Sequence, residues 1–134
     1  MRVVVDPNVR ISAAVAAGVS AELVDRWLTE RPLEFVACAA LVTELREVLR
    51  REKFRRWIDP VAAERYVDLI EQESEYWPDP IEVAPVTGDP KDDYLVALFR
   101  DSAADLIVSG DPDLTSTNVE GVAVLTPGQM LERL

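Results

Sequence analysis

The stretch VVVDPNV, residues 3–9, is the part of this sequence that decides the fold. Three β-branched residues in succession predict a short buried strand, and the Asp-Pro-Asn that follows predicts a turn. Short apolar runs recur at residues 35–38, 106–108 and 122–125, and segments with helical spacing separate them. Continuous apolar strands between helices are typical of a parallel sheet covered on both faces. We therefore expect a doubly wound α/β fold.

Several helix starts are visible from their capping residues. Asp59 and Asp89 are each followed by proline, which predicts an N-cap and a proline in the first helical position. Thr126, with Gln129 three residues later, has the signature of a capping box. Ser20 precedes an apolar pattern of helical spacing and is the predicted N-cap of an earlier helix. Residues 77–90 hold four prolines and are expected to be irregular.

The composition limits the number of domains and the available chemistry. The chain has 134 residues, with 14 Lys and Arg against 25 Asp and Glu, so its formal net charge is −11. This length predicts one domain, residues 1–134. Histidine is absent and Cys38 is the single cysteine, which excludes histidine general bases, Cys-His nucleophiles, disulfides and His- or Cys-cluster zinc sites. The remaining chemistry depends on carboxylates, hydroxyls, amides, Lys and Arg.

The same composition gives an expectation for location and partners. No apolar run approaches the ~18 residues that a membrane span needs, and the first residues lack the pattern of a signal peptide. A cytoplasmic protein with no membrane association is therefore expected. Strong net negative charge disfavours non-specific nucleic-acid binding, although a local basic patch can act against it.

Carboxylates from four segments are predicted to converge at one edge of the sheet. Asp6 and Asp111 follow strands, Asp92 and Asp93 lie in the first turn of the helix that begins after Asp89, and Glu44 lies near the start of another helix. Ligands of open parallel sheets bind outside the carboxyl ends of the strands. Like charges repel when brought together, and an all-oxygen set suits Mg²⁺ or Mn²⁺.

Each of these carboxylates also has a structural interpretation. Asp89 has the pattern of an N-cap, Asp113 could cap a turn at Leu114, and Glu44 alone would be a solvated helix residue. Asp6 and Asp111 are harder to explain in this way, because an unpaired carboxylate at the end of a buried strand is costly. The residues alone leave the metal-site and the structural interpretation open.

Five motifs follow one another over nearly the whole chain, and they are VVVDPNV (3–9), LVTELREVL (41–49), DPKDDYLVAL (89–98), ADLIVSGDPDL (104–114) and VLTPGQML (124–131). Taken together and in this order, they resemble the motifs of PIN-domain ribonucleases, in particular the VapC-like toxins of toxin–antitoxin pairs.

The resemblance implies a fold, an activity and a set of site residues. The fold would be a three-layer α/β/α sandwich with a mainly parallel central sheet. The activity would be cleavage of single-stranded RNA that depends on Mg²⁺ or Mn²⁺, and the partners would be a small antitoxin and a second copy of the chain. The catalytic and metal-site carboxylates would be Asp6, Glu44, Asp92 and Asp111, with Asp93 as a further metal-ligand candidate beside Asp92, and with Asn8, Ser109 and Asp113 as supporting polar residues.

Departures from the family pattern favour one rival interpretation. Pro7 stands where Thr or Ser is usual, and Arg10 stands where an apolar residue is common. The loss of a hydroxyl and an N–H at Pro7 favours a catalytically weak PIN-like module that binds a protein partner. An aspartyl-phosphate receiver domain is also doubly wound, but it would need paired acids after the first strand, where Asp6 stands alone.

A basic segment follows Glu44. Six of the 14 basic residues fall within residues 46–56, with Phe54 and Trp57 interleaved, which predicts phosphate contacts and base stacking. The other interpretation is a solvated helix end, where cations are favoured. The predicted RNA-binding residues are Arg46, Arg50, Arg51, Lys53 and Arg55. The chain's three tryptophans are candidates for a homodimer contact.

Overall fold

A five-stranded parallel sheet forms the centre of the protein, as a computed structural model describes it for residues 1–116 and 119–134. The strand order is β3-β2-β1-β4-β5, and every neighbouring pair is parallel. The predicted doubly wound α/β fold is therefore confirmed. The strands are β1 (Arg2–Val5), β2 (Glu34–Ala37), β3 (Glu75–Tyr76), β4 (Leu106–Val108) and β5 (Val124–Leu125).

Seven α-helices lie within the described ranges, together with a 3₁₀ turn at Glu52–Phe54. The first of them was not predicted, because the residues after β1 had been interpreted as a turn. The predicted cap at Ser20 is also wrong, because the second helix begins at Val19, with Gly18 as its N-cap. The helices are α1 (Pro7–Val15), α2 (Val19–Glu30), α3 (Ala39–Leu49), α4 (Pro60–Glu73), α5 (Pro90–Asp101), α6 (Pro112–Thr115) and α7 (Pro127–Glu132).

An aspartate followed by proline begins four of these helices. The predicted caps at Asp59 and Asp89 are confirmed, and Asp6 and Asp111 cap α1 and α6 in the same way. Each carboxylate accepts a hydrogen bond from a backbone N–H of the first turn, while proline occupies a position where no N–H is needed. The capping box at Thr126 is confirmed as well.

The sheet separates two apolar layers. Alternate residues of β1 point to opposite faces, with Val3 and Val5 in one cluster and Val4 in the other. The first cluster lies under α1–α4 and α7, and the second lies under α5 and α6. Trp27 is fully buried in the first layer and stacks on Phe35 with 4.2 Å between ring centroids. Trp27 therefore cannot form the predicted homodimer contact.

The direction in which successive strands are added to the sheet reverses at its centre. β2 pairs with one side of β1, whereas β4 pairs with the other, so the order changes between β1 and β4. Ligand crevices of doubly wound sheets form at such a point, outside the carboxyl ends of the strands. Within the described ranges, no helix is long and apolar enough to cross a membrane.

Candidate active site

A cavity of about 440 Å³ opens at the point where the strand order reverses. Its walls come from the segments that follow β1, β2 and β4, and from the first turn of α5. The expected convergence of carboxylates is therefore present in the structure. Five carboxylates line the cavity, and they are Asp6, Glu44, Asp89, Asp92 and Asp111.

Asp6 is held rigidly at the end of β1. Its side chain is 5% exposed, and its Oδ1 accepts from the backbone N–H of Asn8 at 3.0 Å. Its Oδ2 accepts from the hydroxyl of Ser109 at 2.8 Å. One contact comes from the first turn of α1 and the other from the residue after β4, so the carboxylate is fixed in orientation before any ligand binds.

Ser109 joins the two central strand ends. It is fully buried, and its Oγ donates to Asp6 while accepting from the backbone N–H of Asp111 at 3.0 Å. Asp111 in turn caps α6, since its Oδ1 accepts from the N–H of Asp113 at 2.9 Å. The capping role that the sequence left open for Asp113 therefore belongs to Asp111. The Asn8 side chain is exposed and lines the cavity.

Asp92 lies in an unfavourable environment for a carboxylate. It is 5% exposed, and residues 1–116 and 119–134 supply no hydrogen bond to its side chain. Burial, and then the negative charges of Asp111, Asp89, Asp6 and Asp113, raise its pKa to about 6. Its oxygen atoms are not among the sealed unpaired atoms of the described residues, so they open into the cavity and are available for a ligand.

Asp93 occupies a different environment from its neighbour. Its Oδ1 accepts from the N–H groups of Val86 and Thr87 and from the Thr87 hydroxyl, at 2.7 to 3.0 Å. These bonds lower the pKa of Asp93, and the residue does not line the cavity. The geometry therefore favours Asp92 as the ligand of this pair and gives Asp93 the role of anchoring the segment before α5.

Lys91 introduces a positive charge into the acidic cavity. Its Nζ lies 3.9 Å from Oε1 of Glu44, and its side chain is 84% exposed. The residue lies within the DPKDD motif, and the sequence predicted no role for it. The signal that could have found it is its place between two acids in the first turn of a helix, which directs it to the same edge as the carboxylates.

The donor set fits a hard divalent cation that retains water. In the described part of the chain, no three acidic side chains are close enough to form a ready-made metal cage. Mg²⁺ commonly uses one or two carboxylates and several waters rather than a closed protein cage. Asp6, Asp92 and Asp111 present oxygen atoms to one cavity, and repulsion among them would be relieved by a cation.

The predicted RNA-binding segment does not form one basic surface. Arg46 pairs with Glu64 and Asp68, and Arg50 pairs with Glu64 at 2.9 Å, so both join α3 to α4. The guanidinium of Arg55 donates to the carbonyl of Leu49. These three predicted contacts are disfavoured because the cations are engaged within the protein. Arg51 and Lys53 are exposed and lie beside the cavity.

A polar chain on the other wall connects the cavity to the irregular segment. The Tyr94 hydroxyl lies 3.3 Å from Sγ of Cys38 and donates to Asp79 Oδ1 at 3.3 Å. Asp79 also accepts from the N–H of Ala40 in the first turn of α3. Burial raises the pKa of Tyr94, so its hydroxyl stays protonated and acts as a donor. Sequence reasoning missed this network, because it joins three distant segments.

The chain is a doubly wound α/β protein. Carboxylates line the crevice at the point where the order of its parallel strands reverses. Residues 2–113 match the model of the PIN domain. The chain therefore belongs to the PIN-domain family, whose members are nucleases that generally use divalent metals. None of the curated proteins compared with the chain matches it.

Two solved structures show the same fold. PAE2754 from Pyrobaculum aerophilum is 21% identical with a TM-score of 0.70, covering 99% of this chain and 88% of that chain. VapBC2 from Rickettsia felis, solved bound to a DNA fragment from the VapBC2 promoter, is 8% identical with a TM-score of 0.65. That match covers 94% of this chain and 98% of that chain.

Proposed function

We propose that this protein is an endoribonuclease that cleaves single-stranded RNA with Mg²⁺ or Mn²⁺ and acts as the toxin of a toxin–antitoxin pair. The observation that carries the proposal is Asp92. A buried carboxylate without a hydrogen-bond donor in the described residues, facing Asp6 and Asp111, stores repulsion that a cation would relieve. Membership of a nuclease family supports the reaction class.

Asp6, Asp92 and Asp111 would hold the ion, directly or through waters that it retains, and Glu44 would contribute directly or through a water. When bound, such an ion supplies an activated water and neutralises charge on a phosphodiester. The chain itself has no histidine to act as a general base. Its own contribution is to position the acids: Ser109 fixes Asp6 and the backbone of Asp111, and the cap of α6 orients the Asp111 carboxylate.

A cleavage assay on single-stranded RNA tests this proposal. Wild-type protein should cleave with Mn²⁺ and lose activity in EDTA, and Asp111→Asn should be inactive in both. Asp101→Asn is the matched control, because Asp101 is an exposed residue at the far end of α5. Equal activity of the wild type and Asp111→Asn with Mn²⁺ would contradict the proposal. Absence of cleavage by the wild type would favour the non-catalytic binding module.

The proposal includes an antitoxin and a homodimer. The similarity in fold to VapBC2 supports the first. Trp57, 54% exposed, lies just before α4, and Val61, 60% exposed, lies in its first turn, which together offer an apolar contact for the second. Sedimentation of the purified chain, compared with Trp57→Ser, checks the dimer. A monomer at all concentrations would remove it.

A further inference from the structure

A second groove, of about 340 Å³, lies beside the carboxylate cavity. The cavity and the groove share the walls formed by Asn8, Glu44 and Lys91. A linear ligand that leaves the cavity past Lys91 therefore enters the groove directly. The far wall comes from the end of α3 and the 3₁₀ turn, which contribute Arg51 and Lys53.

The cations of this groove differ from the other basic residues of the segment. Within the described ranges, neither Arg51 nor Lys53 forms an ion pair, whereas Arg46 and Arg50 are paired with acids of α4. Arg51 is exposed, and the ammonium of Lys53 lies 5.1 Å from the centroid of the Phe54 ring. Because these two cations are not already paired with acids, an anion gains more from them than from Arg50.

Apolar side chains also line the groove. Phe54 and Val48 are half-buried, and Ile11 is buried, and all three line the groove. Proteins that bind single-stranded nucleic acid contact the phosphate backbone with cations and stack the bases on aromatic side chains. This groove offers both kinds of side chain next to each other. Glu44 and Glu47 also line the groove, so the site is less favourable than a wholly basic one.

We infer that this groove is a nucleotide subsite for single-stranded RNA, in which Arg51 and Lys53 bind a backbone phosphate next to the one in the carboxylate cavity. The inference rests on the proposed function and deepens it by naming the direction in which the strand leaves the cavity. Lys91 stands between the two phosphates, and Phe54 contacts the base of the nucleotide in the groove.

Binding can be measured apart from cleavage, with a short fluorescein-labelled oligouridylate in EDTA, by anisotropy over a range of salt concentrations. Arg51→Gln should reduce the salt slope by about 0.7, the value for one lost phosphate contact on a single strand. Phe54→Leu should weaken binding about fivefold, the lower end of the effect of losing a base–aromatic contact. Glu47→Gln should strengthen binding, because it removes a negative charge from the groove.

Two control variants keep the comparison specific. Arg100→Gln removes a cation from the end of α5 opposite the cavity, and it should leave the slope and the affinity unchanged. Arg50→Gln removes the cation adjacent in sequence to Arg51, whose side chain pairs with Glu64, and it should also keep the wild-type slope. Circular dichroism of every variant checks that the fold is retained.

The outcomes separate this inference from the proposed function. Equal slopes for Arg51→Gln and Arg50→Gln, an unchanged affinity for Phe54→Leu, or absence of oligouridylate binding by the wild type would each overturn the subsite. If the wild type cleaves RNA with Mn²⁺ while Arg51→Gln keeps the slope, the proposed function stands and the subsite fails. If Arg51→Gln reduces the salt slope as expected but neither the wild type nor any variant cleaves RNA, the subsite stands and the nuclease proposal fails.

Discussion

The substitution Asp92→Asn should stabilise the metal-free protein at neutral pH. Burial and four neighbouring carboxylates raise the pKa of Asp92 from 3.8 to about 6. Each unit of difference between the folded and unfolded pKa corresponds to about 1.4 kcal/mol, so roughly 3 kcal/mol is the upper bound on what the ionised side chain costs the folded state. Screening by the solvent of the open cavity and the favourable field at the start of α5 reduce this cost, which leaves a net gain of about 2 kcal/mol for asparagine.

The pH dependence provides a second signature of the same effect. Because the folded pKa lies above the unfolded one, the folded protein binds the additional proton between pH 3.8 and about 6. The free energy of unfolding of the wild type therefore rises, through this group, as the pH falls through that window. The difference between the variant and the wild type should be about 2 kcal/mol near pH 7 and should close toward about zero below pH 4.

Urea denaturation in EDTA at several pH values measures this difference. Asp101→Asn, on the exposed end of the same helix, should match the wild type throughout. With Mn²⁺ at a hundredfold excess over its dissociation constant, the wild type should gain about 2.7 kcal/mol and the Asp92→Asn variant much less. An Asp92→Asn protein that is less stable than the wild type at neutral pH, or a difference independent of pH, would refute the reasoning.

Three further substitutions test other contacts of the site. Asp111→Asn keeps the cap of α6 but removes the largest like-charge contribution to the raised pKa of Asp92. In a thermal scan, the EDTA-treated variant should therefore melt at a higher temperature than the wild type. Its melting temperature should respond little to Mn²⁺. Ser109→Ala removes the donor to Asp6 and the acceptor for the N–H of Asp111, and it should lower the free energy of unfolding in urea by about 2 kcal/mol, whereas the exposed Ser116→Ala should have no effect. Arg10→Met should raise the free energy of unfolding by about 1 kcal/mol. Arg10 is 2% exposed, its Nε has no hydrogen-bond partner among the described residues, and burial lowers its pKa to about 10. A loss of 2 kcal/mol or more in urea denaturation would contradict this.

The sequence predicted the parts of the fold that local chemistry determines. Four apolar strands and the caps at Asp59, Asp89 and Thr126 are visible as patterns, because a buried parallel strand and a helix start each impose their residue types locally. The same Asp-Pro signal at Asp6 was interpreted as a turn, although it begins α1. β3 has two residues, Glu75–Tyr76, and no apolar pattern, so only its pairing with β2 defines it.

The choice of side-chain partners could not be predicted in the same way. Asp92 and Asp93 are neighbours in one helical turn, and a step of one residue sends the second carboxylate to Thr87 instead of into the cavity. The basic segment was expected to face RNA as a unit, but α4 supplies Glu64 to two of its arginines from a distant part of the sequence. Such pairings depend on how two helices dock, which no local spacing encodes.

Pro7 shows how the structure changes the weight of the rival interpretations. The sequence suggested that proline would weaken the first turn, because it removes an N–H and replaces a hydroxyl. In the structure Pro7 is the first residue of α1, where an N–H has no helical partner, and Asp6 Oδ1 takes its hydrogen bond from Asn8 instead. The hydroxyl that orients Asp6 comes from Ser109, directly after β4. The residue that favoured a catalytically weak module is therefore compatible with an oriented Asp6, and the case for that module now depends on the cleavage assay alone.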